Sequence, residues 1–173
     1  RRFVSLNSIY NYFTSYEAKT SKTFFSNEYI NKLNNPNKKS KFVMEFVFKD
    51  MFRTVFERKI INGSIKGVFC LIIAIKDKLK KEVLIEYEKN NKCQEHVYSE
   101  IWLSREIRKF GTSKEESLPG KDNKFDSFLY LEFCNKNDSI VSMKNAEKNF
   151  KNAEIGLQVK VLFILTTEIT SHY

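Results

Sequence analysis

Large apolar residues recur along this chain in runs whose spacing predicts its elements. Phe3, Leu6, Tyr10 and Phe13 fall at helical spacing, which predicts a short amphipathic helix ending near Tyr16. Residues 17–41 are polar and rich in Asn and Lys, with Phe24, Phe25, Tyr29 and Ile30 as anchors and Pro36 as a breaker. They read as a loop with one extra turn or strand. Ser40 is positioned to cap a helix running to about Arg58, whose polar residues Glu45, Lys49, Arg53 and Glu57 form a narrow i+4 stripe. Asp50 and Thr54 lie beside that stripe, and nearly everything else is large and apolar. This predicts an enclosed central helix, with Met44, Phe48, Phe52 and Val55 buried against the strand that follows.

Asn62-Gly63 marks a turn, and Ile65–Ile75 reads as a central strand, apolar on both faces. Val83, Ile85 and Tyr87 alternate with Glu82, Leu84, Glu86 and Glu88 and predict a half-exposed partner strand. Val97, Ile101, Trp102, Ile107 and Phe110 predict a third helix over about 94–110, stopped by Gly111. A polar stretch to Lys124 follows, with a turn at Leu118-Pro119-Gly120. Phe125–Phe133 is strongly β-prone, Asn135–Glu154 reads as a long polar connection, and Leu157, Val159, Val161, Phe163 and Leu165 alternate through a last strand. Helices and antiparallel strands are segregated, which predicts an α+β fold with three helices on one face of a mainly antiparallel sheet.

Composition narrows the class. The chain has 173 residues, enough for one domain with a real core, and 14% of them are aromatic, which excludes intrinsic disorder. Gly (5) and Pro (2) are too few for collagen-like or linker-like sequence. The net charge of +9 leaves two readings open: a lysine-coated soluble surface, or a polyanionic or membrane-surface partner. Lys76, Lys78, Lys80 and Lys81 form one basic cluster and Lys38, Lys39 and Lys41 another, suited to phosphate contacts. A basic α+β nucleic-acid-binding domain is therefore an alternative function. The aromatic residues are expected in the core rather than among these lysines.

Catalytic signals are weak. The common phosphate-cradling and hydrolytic motifs do not occur. Cys93 and His96 could converge on one helix turn as a catalytic pair, or His96 could simply face solvent at a helix start. Glu86 and Glu88 share one strand face, either as paired carboxylates or as its solvated side. Neither pattern carries an orienting partner, so a non-enzymatic protein without cofactor or metal is expected. Cys70, Cys93 and Cys134 are widely spaced, odd in number and outside any CxxC, and Cys70 and Cys134 fit small buried hydrophobes. No apolar run reaches the ~18 residues of a membrane-spanning helix. The chain starts Arg1-Arg2-Phe3, without an initiator Met or a signal-peptide pattern, and a reducing intracellular compartment fits best.

The order of elements and several strings resemble the HORMA-domain family of spindle-checkpoint and meiotic chromosome-axis proteins. The strings are Leu6-Asn7-Ser8-Ile9-Tyr10 for its first helix and Gly67-Val68-Phe69-Cys70-Leu71-Ile72-Ile73 for the strand after its central helix. Glu82–Glu88 resembles a following strand, Ile107–Thr112 the end of its third helix, and the tail through Val159, Thr166 and Thr167 its last strand. The resemblance implies one domain over 1–173, with a core at 1–111 and a mobile C-terminal safety belt at 112–173. It implies an adaptor in the nucleus or on chromosomes, acting in checkpoint or axis signalling. Such an adaptor locks a partner's short closure-motif peptide by strand addition. A dimer with itself or a relative and a remodelling ATPase are further implied partners, and nucleic acid is secondary. Phe128, Tyr130, Leu157 and Val159 are the candidates to line the peptide path. Leu129 and Leu131 offer the opposite face of the first belt strand, and the two strands could instead form an ordinary antiparallel pair. Arg108 is the candidate for self-association, or else a cation at a helix C-terminus.

Overall fold

The computed structural model describes residues 2–47, 54–76, 81–90, 96–104, 125–150 and 153–160. Their strands are β1 (Arg2–Asn7), β2 (Tyr12–Thr14), β3 (Phe56–Asn62), β4 (Phe69–Ile75), β5 (His96–Ser104), β6 (Ser127–Phe133) and β7 (Ala153–Lys160). Their helices are α1 (Asn27–Asn34), α2 (Lys38–Phe42), α3 (Lys81–Asn90) and α4 (Lys136–Asn149). The strands form one sheet in the order β2-β1-β7-β4-β6-β5-β3, and every pairing is antiparallel. The fold class is α+β with helices on a mainly antiparallel sheet, as the patterning predicts.

Within the sheet, β4-α3-β5-β6-α4-β7 forms two interlocked split β-α-β units. Strand β6 lies between the parallel pair β4 and β5, and β4 lies between the parallel pair β6 and β7. This is the ferredoxin-like arrangement. The β1–β2 hairpin extends it beyond β7, and β3 extends it beyond β5. Strand β4 is buried from Cys70 to Ile75, in keeping with its unbroken apolar run.

The two faces hold different cores. Under α3 and α4 lie Leu71, Ile73, Ile75, Ile101, Leu129, Leu131 and Phe133, sealed by Leu84, Tyr87, Met143 and Ala146. The opposite face carries Phe3, Cys70, Ile72, Ala74, Tyr98, Phe128 and Tyr130, with Phe13, Phe56 and Trp102 partly buried against them. Phe13 stands on β2 and Trp102 on β5, five strand steps away, a distance of about 24 Å in a flat sheet. Their ring centroids are nevertheless 6.1 Å apart. The sheet therefore curls strongly, with this aromatic face on its concave side.

Several expected elements take other forms. The first helix is instead the β1–β2 hairpin. Its turn is held by Ser5 N–H donating to Asn11 O (2.9 Å) and Tyr10 N–H donating to Ser8 Oγ (3.2 Å). Pairing with β7 overrides a helical spacing made of aromatic residues. The long central helix is also absent among the described residues. Asn37, not Ser40, caps α2 by accepting from Ser40 N–H, and a π-helical turn over Val43–Val47 follows. The chain is already a strand at Phe56. Phe42 and Phe46 are exposed, Met44 and Val55 are half-buried, and Phe48 and Phe52 lie outside the described residues. The loop expected over 17–41 contains α1, capped by the Ser26 side chain, and a 3₁₀ turn at Ser21–Phe25.

The expected strand around Val83–Tyr87 is helix α3. Leu84, Tyr87 and Glu88 bury one helical face while Val83 and Glu86 are exposed, a spacing that in so short a stretch also reads as alternation. The expected third helix is strand β5 over its described part, with Tyr98, Ser99, Glu100 and Ile101 buried. The polar connection 135–154 is helix α4, capped by the Asn135 side chain accepting from Asp138 N–H (2.9 Å). It buries Ser139, Ser142, Met143 and Ala146, so a mostly small and polar contact face hid it from hydrophobic patterning. Cys70 is buried as expected, Cys134 is exposed, and Cys93 lies outside the described residues.

Gly67 brings the β3–β4 connection against β6. A Cβ there would lie about 2.5 Å from the Phe133 carbonyl oxygen, and the Gly67 N–H donates to Glu132 Oε2 (2.8 Å). Gly67→Ala is expected to cost about 3 kcal/mol by forcing these backbones apart. A urea midpoint within error of the parent would show that the connection yields freely.

Candidate functional site

The curl that gathers the rings also brings the sheet's two edges together. Strand β2 ends one edge and β3 the other. Arg58 on β3 places Nη1 3.1 Å from Oε2 of Glu17, three residues past β2, so one ion pair spans the seam between the edges. Among the described residues, no β-ladder joins β2 to β3. Exposed Tyr12 and Tyr16 flank the seam on the β2 side, and exposed Ile61 lies on β3.

Beneath the seam, Arg58 also reaches Glu100 Oε1 at 3.4 Å. Glu100 is 1% exposed, and its charge is offset on several sides. Tyr98 Oη–H donates to Oε1, Trp102 Nε1–H donates to Oε2 (2.5 Å), and Lys66 Nζ lies 3.8 Å away, over the Tyr98 ring. Glu132 accepts from Tyr130 Oη–H (2.5 Å) and the Gly67 N–H. A third buried carboxylate, Glu88 of α3, accepts from Asn62 Nδ2 (3.1 Å) and Ser99 Oγ (3.0 Å) and faces His96 Nε2 at 3.3 Å. Among the described residues, the buried His96 Nδ1 has no hydrogen-bond partner.

These carboxylates are occupied by donors that belong to the fold. That arrangement ties neighbouring elements to one another. Among the described residues, no group of three or more His, Cys, Asp or Glu side chains is placed to hold a metal. His96 begins strand β5 and meets Glu88 on α3, while Cys93 lies outside the described residues. Glu88 is buried and Glu86 exposed, so they do not act as a pair on one face.

Phe128 and Tyr130 sit on β6 and face the concave aromatic core, whereas Leu129 and Leu131 pack under the helices. Leu157 and Val159 stand in register on β7 opposite Leu71 and Phe69 of β4. Strand β4 separates the two pairs, and both edges of β6 and of β7 are already taken. A peptide cannot add beside these four residues without displacing a strand. Strands from both sides of position 111 interleave in the sheet, and Arg108 lies outside the described residues. Glu17, Arg58 and the Glu100 cluster did not emerge from sequence reasoning. Their one available signal was a glutamate alternating with Tyr98 and Trp102 in a β-prone run.

The curled, helix-backed α+β sheet with a bridged seam thus defines the class at the level of fold. No family model, curated protein or solved structure matches the chain. Among the described residues, no helix is long and apolar enough to cross a membrane.

Proposed function

We propose that this chain is a non-enzymatic adaptor that captures an extended peptide of a partner protein by strand addition at the seam between β2 and β3. The supporting observation is the meeting of two sheet edges that no other described strand pairs with, close enough for the Glu17–Arg58 ion pair to span them. Backbone pairing along the seven residues of β3 supplies affinity, and the exposed side chains at the rim, Tyr12, Tyr16 and Ile61, supply selectivity. The reading keeps the peptide capture that the HORMA resemblance implies. It moves the path from the strands of 125–166 to the seam.

The test is selection from a displayed library of random peptides of about 12 residues, long enough to run the length of a strand, followed by hydrogen exchange. Selected peptides are expected to slow exchange of β3 amides while leaving those of β4 unchanged. Failure to select binders, or binders that protect other segments, overturns the proposal. A second reading, a basic nucleic-acid-binding domain, is favoured by the net charge of +9 together with the exposed lysines of α2.

A further inference from the structure

The segment between β2 and β3 departs most from what patterning predicts. The 3₁₀ turn, α1 and α2 contain no buried residue. On α2 and the π-helical turn after it, Phe42 and Phe46 are 59% and 63% exposed, and their ring centroids lie 5.1 Å apart. Lys38, Lys39 and Lys41 are exposed on the same short segment, and Lys38 precedes Phe42 by one helical turn. Glu45 is the acidic side chain here and lies 3.8 Å from Lys41. The two adjacent exposed rings thus form a small apolar patch flanked by three ammonium groups.

We propose that residues 38–46 form a binding site for single-stranded nucleic acid, in which Lys38, Lys39 and Lys41 contact phosphates and Phe42 and Phe46 stack on bases. The inference rests on the nucleic-acid reading and is independent of peptide capture. Charge complementarity selects the occupant. A polyanion carrying flat apolar faces satisfies lysines and rings together, whereas a duplex hides its base faces. An anionic bilayer would also meet lysines and rings, but interfacial helices usually present a longer apolar face than these ten residues.

The experiment measures fluorescence anisotropy of labelled oligo(dT), about 12 nucleotides long, against the parent, Phe42→Ala/Phe46→Ala and Lys38→Ala/Lys39→Ala/Lys41→Ala. Matching duplex DNA and phosphatidylserine vesicles are run in parallel. All five positions are exposed, and a melting curve checks that each variant remains folded. The ring variant is expected to lose at least tenfold in affinity with its salt slope unchanged. The lysine variant is expected to lose affinity with a salt slope shallower by about two to three. Oligonucleotide binding that ignores the ring substitutions overturns this site but leaves the nucleic-acid reading standing. No binding by the parent overturns both. Tighter binding to vesicles or duplex than to oligo(dT) overturns the single-strand assignment.

Discussion

Tyr130→Ala is expected to remove about 4–5 kcal/mol of folding stability, a large share of what a domain of this size possesses. Tyr130 is fully buried at the centre of the concave face. Its ring stacks on Trp102 at 5.3 Å and 12°, meets Phe3 edge-on at 6.2 Å, and lies 6.4 Å from Phe13 of the far hairpin. Truncation opens a cavity where the two ends of the curled sheet meet, a place that cannot collapse without uncurling. Glu132 also loses the Tyr130 hydroxyl and keeps the Gly67 N–H. Tyr130→Phe separates the two contributions, retaining the stack and forfeiting about 1–2 kcal/mol for the hydrogen bond. Urea unfolding of both variants checks this. Equal losses would mean that the stack does not hold the curl.

Glu100→Ala should destabilise by about 3–5 kcal/mol, because removing one member of a buried charged cluster strands its partners. Tyr98 Oη–H and Trp102 Nε1–H would lose the carboxylate to which they donate, and the Arg58 guanidinium would lose its buried contact while keeping the one with Glu17. Arg58 is 38% exposed on its side chain, so solvent softens its share. The contrast lies across the same arginine. Glu17 is more than half exposed, and Glu17→Ala should cost under about 1 kcal/mol. A double variant, Glu100→Leu with Tyr98→Phe, should recover part of the loss by removing donor and acceptor together. If Glu100→Ala and Glu17→Ala prove equally mild in thermal melts, the buried carboxylate is not an anchor of the sheet.

Local composition was enough to read the two strands at the centre of this protein and the α+β class. The apolar run of β4 and the aromatic and aliphatic run of β6 have the length and density of strands buried on both faces, and here local composition agrees with the packing. Asn62-Gly63 marked its turn for an equally local reason: Gly63 has a φ of +84°, which side chains with a Cβ rarely adopt. Elements whose residues suit both periods were settled by long-range packing. Phe3–Phe13 became a hairpin because β7 offered it an edge, and Val83–Tyr87 became a helix because β4 and β5 run parallel and need a crossover. Helix α4 presents Ser139, Ser142 and Ala146 to the sheet along with Met143, and a contact face so rich in small and polar residues shows no broad hydrophobic stripe. Phe42 and Phe46 looked like core because their neighbours are apolar, but exposure depends on whether another element comes to cover them. The seam has the same origin. Glu17 and Arg58 meet only because the sheet curls, and curl is a property of seven strands together that no single segment encodes.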